Sequence, residues 1–192
     1  MGKSTKDLIE KLIAMGNLTE DYDAVVKVLS QEERRSPNDH MIFAVKGWAL
    51  HNLGRDDEAE QALNKALRLH PGSGWANYHK GQLLADLGRF EEAADCLSLA
   101  VKHKPRRPDF LIEKAMVEDE LGRVTEAYHS YESAARLGDK TGWALAGKAR
   151  VLAYLNRFEE ALDAVRSAMK LNPEEEAFRQ YEQAILDRIR DY

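Results

Sequence analysis

The sequence predicts an all-α chain of stacked two-helix hairpins, an α-solenoid, and three regularities carry that prediction. Pro37, Pro71, Pro105 and Pro173 are separated by 34, 34 and 68 residues, the skipped step falling on Asp139. Gly54, Gly88 and Gly122 repeat at the same interval, and Asn156 closes the series. Ala59, Ala93, Ala127 and Ala161 make a third column, with Arg55, Arg89, Arg123 and Arg157 as a fourth beside it. Independent columns at one period mark a repeat architecture, in which each unit buries its apolar face only by stacking on its neighbours.

Each part of the unit has a physical reason. In the first full unit Phe43, Gly47 and Leu50 recur at spacings of four and three, one face of a helix. Leu53-Gly54-Arg55 follows; glycine takes the left-handed conformation that ends a helix, and asparagine, here Asn156, is the next choice. The second helix opens on carboxylates that complement its dipole: Asp57-Glu58, Glu91-Glu92, Glu126 and Glu159-Glu160. The alanine column sits where two helices must approach closely. Leu63, Leu97, Tyr131 and Val165 come one turn later, then Ala66, Ala100, Ala134 and Ala168. A cation ends each second helix (Arg68, Lys102, Arg136, Lys170), and proline then redirects the chain.

On this reading 1–192 is a single domain with four clear hairpins, 40–73, 74–107, 108–141 and 142–175. A divergent hairpin over 6–39 precedes them, where Tyr22, Leu29 and Pro37 hold the register and Thr19-Glu20 stands in for the Leu-Gly turn. A last helix, 174–190, carries an apolar stripe of Phe178, Tyr181, Ile185 and Ile189, backed by Arg179, Gln180, Glu182 and Asp187. A repeat stack needs such a polar-backed cap. The same stripe also suits a dimerisation helix.

The succession of a large apolar residue, Leu-Gly, Ala, a further large residue, Ala and Pro resembles the tetratricopeptide repeat family over nearly the whole chain. Asn77 and Glu118 depart from it, at places where an apolar residue is expected. The resemblance implies a right-handed superhelix whose first helices line a concave groove. It places Met41, Trp48, His51, Trp75, Tyr78, Gln82, Asp86, Asp109, Ile112, Met116, Asp119, Trp143, Arg150 and Tyr154 on that lining. All three tryptophans fall in the set, and aromatic and methionine side chains dominate binding hot spots. Asp86, Asp109, Asp119 and Glu120 outnumber Arg150, which points to a segment with apolar anchors and positive charge. The competing expectation is that Trp75 and Trp143 wedge against the preceding unit and that Trp48 is buried between first helices. The family's chaperone-tail clamp of Lys, Asn and Arg is not matched: its places hold Ala44, Trp48, His79, Asp109 and Glu113, or one unit on Tyr78, Gln82, Glu113, Trp143 and Gly147.

Charge and composition narrow the function. The 192 residues are 44% apolar and 32% charged, with a net charge of −5, which argues against a nucleic-acid partner. Lys102-His103-Lys104 with Arg106 and Arg107 is the one basic cluster, and it reads as a solvated helix end. Cys96 is alone, which suits a reducing, cytoplasmic setting. The N-terminus lacks a continuous apolar stretch, no window approaches a membrane span, and Lys6 breaks an acylation signal at Gly2. The glycines follow the repeat, and the histidines at 40, 51, 70, 79, 103 and 129 offer no close helical pair for zinc. No catalytic, metal or cofactor site is expected, and the arginine column is expected to pair with nearby carboxylates. The leading function is a scaffold or adaptor holding a peptide or helix of another protein. The rivals are self-assembly, by end-to-end stacking or pairing through the terminal helix, and a regulatory domain acting beside an enzyme.

Overall fold

The computed structural model describes residues 3–191; Met1, Gly2 and Tyr192 lie outside it, and with them the acylation signal weighed at Gly2. Among the described residues the secondary structure is eleven α-helices: α1 Lys3–Thr19, α2 Tyr22–Arg35, α3 His40–Asn52, α4 Asp56–Leu69, α5 Gly74–Asp86, α6 Phe90–His103, α7 Pro108–Glu120, α8 Val124–Arg136, α9 Trp143–Tyr154, α10 Phe158–Leu171 and α11 Glu176–Arg190. They form two compact units, Met1–Lys104 and Pro105–Tyr192. In the first, α1 packs on α2 and α3, α3 pairs with α4 and α5 with α6, and α5 also touches α3 and α4. In the second, α7 pairs with α8 and α9 with α10, α9 also touches α7 and α8, and α11 closes on α9 and α10. The fold class is the all-α, hairpin-built one that the periodicity predicts.

The columns are the core. Ala59, Ala93, Ala127 and Ala161 are fully buried, as are Leu63, Leu97 and Val165, and Tyr131 is 2% exposed. Burying each of the large side chains is worth about 1.5–3 kcal/mol. Gly47 and Gly81 let the two helices of a hairpin close up: a Cβ there would lie 2.5 Å from Leu63 Cγ and 2.6 Å from Leu97 Cγ.

The turns repeat one geometry. Gly54, Gly88 and Gly122 have φ of 70°, 73° and 67°, and Asn156 takes the same role at 58°. The following arginine N–H closes each turn on a carbonyl five residues back: Arg55 to Leu50 at 2.9 Å, Arg157 to Leu152 at 2.9 Å. In the divergent hairpin Glu20 adopts φ 54°. A non-glycine residue there costs about 1–2 kcal/mol, so the geometry persists where the sequence signal does not. Three of the four arginines that leave the turns fork onto the carboxylate three residues on, Arg55–Glu58 (2.8 Å), Arg89–Glu92 (2.7 Å) and Arg157–Glu160 (2.7 Å).

The departures from the pattern are compensated locally. Where proline is missing, Asp139 accepts hydrogen bonds from the Thr141 N–H (2.9 Å) and the Ala144 N–H (3.0 Å), fixing the chain at the start of α9. Asn77 is buried and donates to the carbonyls of Pro71 (3.1 Å) and Ser73 (2.9 Å). Glu118 is buried and accepts from the Ser130 hydroxyl (2.7 Å) and the Lys114 ammonium. These are satisfied polar positions in the core, where the family pattern has apolar residues.

In α11 the apolar stripe is shorter than its sequence suggests. Phe178 and Ile185 are buried and Tyr181 half-buried, whereas Ile189 in the last turn is 39% exposed. Glu182, expected on the wet side, is drawn to Arg166 of α10 at 2.6 Å.

Candidate partner-binding faces

The residues expected on a groove lining lie on the first helices of the hairpins, α3 and α5 in one unit and α7 and α9 in the other, and none of the fourteen is buried.

In the first unit they form an aromatic shelf. Trp48 is half-buried: Tyr22 meets it edge-on with ring centres 5.4 Å apart. Gly16 makes room for it, since a Cβ there would lie 2.6 Å from the indole Cη2. Trp48 is thus seated between helices, close to the competing expectation for it. Trp75 stacks on His79 of its own helix at 5.0 Å and 28°. Gln82 ties this group together: its amide donates to the Tyr78 hydroxyl (3.0 Å), and its carbonyl lies 3.0 Å from His79 Nδ1. His51 reaches two carboxylates, Asp56 through Nδ1 and Asp86 through Nε2, both at 2.9 Å. One ring therefore fastens the end of α3 to the start of α4 and the end of α5. Met41 packs against the apolar cluster of α1, α2 and α3.

In the second unit the face is more open. Met116 is 46% exposed, Trp143 37% and Tyr154 65%. Trp143 meets the buried Phe178 of α11 edge-on at 5.1 Å, so it leans on the following helix. Ile112, Met116, Tyr131, Trp143, Gly147, Arg150 and Tyr181 surround a cleft of about 40 Å³. A second cleft of about 150 Å³ is lined by Arg150, Ala153, Tyr181, Ala184, Ile185 and Arg188. Tyr154 lines neither cleft. Asp109 stands at the head of α7, where Arg107 Nε donates to it at 2.8 Å.

Tyr131, Gly147, Tyr181 and Arg188 were not foreseen as lining. Two signals for them exist in the sequence. Tyr131 is the one aromatic in a column otherwise filled by Leu63, Leu97 and Val165, and Gly147 stands 34 residues beyond Glu113, which itself follows His79. The larger ring reaches the place that glycine leaves empty. Tyr181 and Arg188 belong to the terminal helix, read as a cap or a dimerisation helix. Burial pushes the Tyr131 phenol up to about 12, so it faces the cleft as a neutral hydroxyl beside Arg150.

Three of the four acidic residues that suggested a basic partner are already held by cations or an imidazole: Asp86 by His51, Asp109 by Arg107, and Asp119 by Arg150. Glu120 is exposed. These faces offer surface for contact. Burial pushes the Cys96 thiol up, away from a reactive thiolate. Among the described residues no three His, Cys, Asp or Glu side chains gather as a metal site, and no helix is long and apolar enough to cross a membrane.

Three tetratricopeptide repeat models match the sequence, over residues 19–74, 51–112 and 142–167, which together span more than half of it. No curated protein matches it. Among solved structures it is similar to MamA 41-end from Desulfovibrio magneticus RS-1, at 19% identity, with 91% of this chain and 98% of that chain covered and a TM-score of 0.72. It is also similar to TTC0263, a thermophilic TPR protein in Thermus thermophilus, at 20% identity, 94% and 96% coverage and a TM-score of 0.71. A third, YrrB, is described as a TPR protein with an unusual peptide-binding site; the identity is 17%, the coverage 91% and 90%, and the TM-score 0.71. At such identities the likeness concerns the fold. With its columns, turns and hairpins accounted for, the chain belongs to the tetratricopeptide repeat family.

Proposed function

We propose that the protein is a non-catalytic scaffold or adaptor, and that the first-helix faces hold a segment of another protein through apolar anchors. The observation that carries this is the exposure of Met116, Trp143 and Tyr154 on one face of the second unit, beside two open clefts. Large apolar side chains left in water beside concavities are the usual marks of an interaction surface. The described peptide site of YrrB supports the reading by analogy of fold alone. The basic character expected of the partner has lost its basis, because Asp86, Asp109 and Asp119 are engaged within the protein.

A photo-crosslinking amino acid placed at Met116 or at Tyr154, with Leu99 of α6 as the exposed comparison, tests this in cells. The expected result is discrete adducts from 116 and 154 that are missing from 99. The same adducts from all three positions, or none from the first two, would overturn the proposal. Adducts at twice the chain's own mass would assign the face to self-assembly.

A further inference from the structure

We infer that the trough between α9 and α11 takes a peptide in which apolar side chains alternate with carboxylates. This rests on the preceding reading of the second unit's face as a binding surface, and it adds the chemistry of the occupant.

The two clefts share Arg150 and Tyr181, so they adjoin along α9. The larger, about 150 Å³ with Ala153, Ala184 and Ile185 in its walls, has room for an aromatic or branched side chain. The smaller, about 40 Å³, suits a short apolar group. Two guanidinium groups stand in the walls, Arg150 and Arg188, and no carboxylate lines either cleft.

The charges of α11 are arranged so that Arg188 stays available. Glu176 is engaged by Arg179, Glu182 by Arg166, and Asp187 by Gln183 and Arg190. Among the described residues no carboxylate pairs with Arg188, whose guanidinium carbon lies 6.0 Å from the centre of the Phe158 ring. Arg150 holds Asp119, but a guanidinium carries five N–H donors in a planar fork and can bind a second carboxylate. A lysine- or arginine-bearing segment laid here would set its charge beside two cations. An acidic one would form charge-assisted, bidentate hydrogen bonds on either side of an apolar floor.

The test uses the full chain and fluorescein-labelled octapeptide pools in which Leu, Phe or Trp alternates with Glu, Lys or Ser, read by fluorescence anisotropy. The Glu pool is expected to bind at least tenfold more tightly than the Ser pool, with the Lys pool weakest. That advantage should shrink as salt is raised. Arg188→Gln should cost the Glu pool roughly fivefold. Arg188→Glu should reverse the order of the Glu and Lys pools, while Arg34→Glu on α2, the charge-matched comparison, should leave it unchanged. Because Arg188 is exposed, circular dichroism of its variants should be unaltered. If the Ser or Lys pool binds as tightly as the Glu pool, or if the Glu preference survives Arg188→Glu, the inference fails while the binding face stands. If no pool binds, both fail. A dimer in sedimentation that Arg188→Glu dissolves would give the trough to a second copy of the chain and overturn the inference.

Discussion

Replacing Phe178 by alanine is the sharpest perturbation of the second unit. The ring is fully buried. Its cluster includes Ala146, Ala149, Val165 and Ala168, with Ile185 as the other buried large side chain of α11. Its edge fills the space at Gly142, where a Cβ would come within 2.8 Å of it. Truncating such a ring costs about 3–5 kcal/mol, transfer and cavity terms together. The loss should not spread evenly. A 15-residue helix such as α11 is marginal in water by itself, and Ile185, worth about 1.5–3 kcal/mol, would be its one remaining buried large side chain, helped by half-buried Tyr181 and the Glu182–Arg166 pair. α11 should therefore detach before the hairpins melt, as expected of a terminal element in a repeat stack. Urea denaturation followed by circular dichroism, together with amide exchange of α11, measures both parts. The emission of Trp143, which sits 5.1 Å from Phe178, should move to the red. Ile189→Ala, in the exposed last turn, should cost about 0.5 kcal/mol or less. A loss below about 1 kcal/mol for Phe178→Ala, or unchanged exchange in α11, would refute the assignment of Phe178 as the anchor of the cap.

Two further outcomes follow from single contacts. Gly147→Ala should destabilise by about 1–3 kcal/mol, because the new methyl would overlap Cε1 and Cζ of the buried Tyr131 ring; pairing it with Tyr131→Leu should recover most of the loss in a double-mutant cycle, and a stabilised single variant would show that the ring yields freely. Glu33 is held below the ordinary carboxyl value of 4.5 chiefly by a hydrogen bond from Lys46, reinforced by Lys65 and opposed by partial burial. Its folded pKa is lower than its unfolded one, so its contribution is present above 4.5 and is lost as pH falls through the folded value. Urea midpoints between pH 7 and pH 3 should accordingly drop less steeply in Glu33→Gln than in the wild type, and identical slopes would count against the Lys46–Glu33–Lys65 link.

The hairpins were legible because their signals are backbone signals repeated at a fixed interval: Gly54, Gly88 and Gly122 adopt one turn, and the alanine column is fully buried at every step. Glu20 was less legible, since its turn is imposed by packing around it and its side chain announces nothing. The candidate face was legible in part. The family resemblance placed Met116, Trp143 and Arg150 on one lining, and all three are exposed, but a helix face says nothing about pairing. Asp119 and Arg150 come from helices 31 residues apart in sequence, and their contact takes up one of the four carboxylates from which a basic partner was read. Lys46, Lys80, Lys114 and Lys148 are a further column that went unread, and the first, third and fourth reach Glu33, Glu118 and Glu132. Their ammonium groups work at the ends of long stems, where spacing along one helix predicts little.

The interlock of Tyr131 with Gly147 has an evolutionary and engineering consequence. The enlarged ring on one hairpin is matched by an absent side chain on the next, so these two modules are keyed to each other. Repeating 108–141 would set the phenol of one copy against Glu113 of the next, where the natural neighbour has Gly147. Swapping, duplicating or shortening the array at this joint therefore requires moving both halves of the key together.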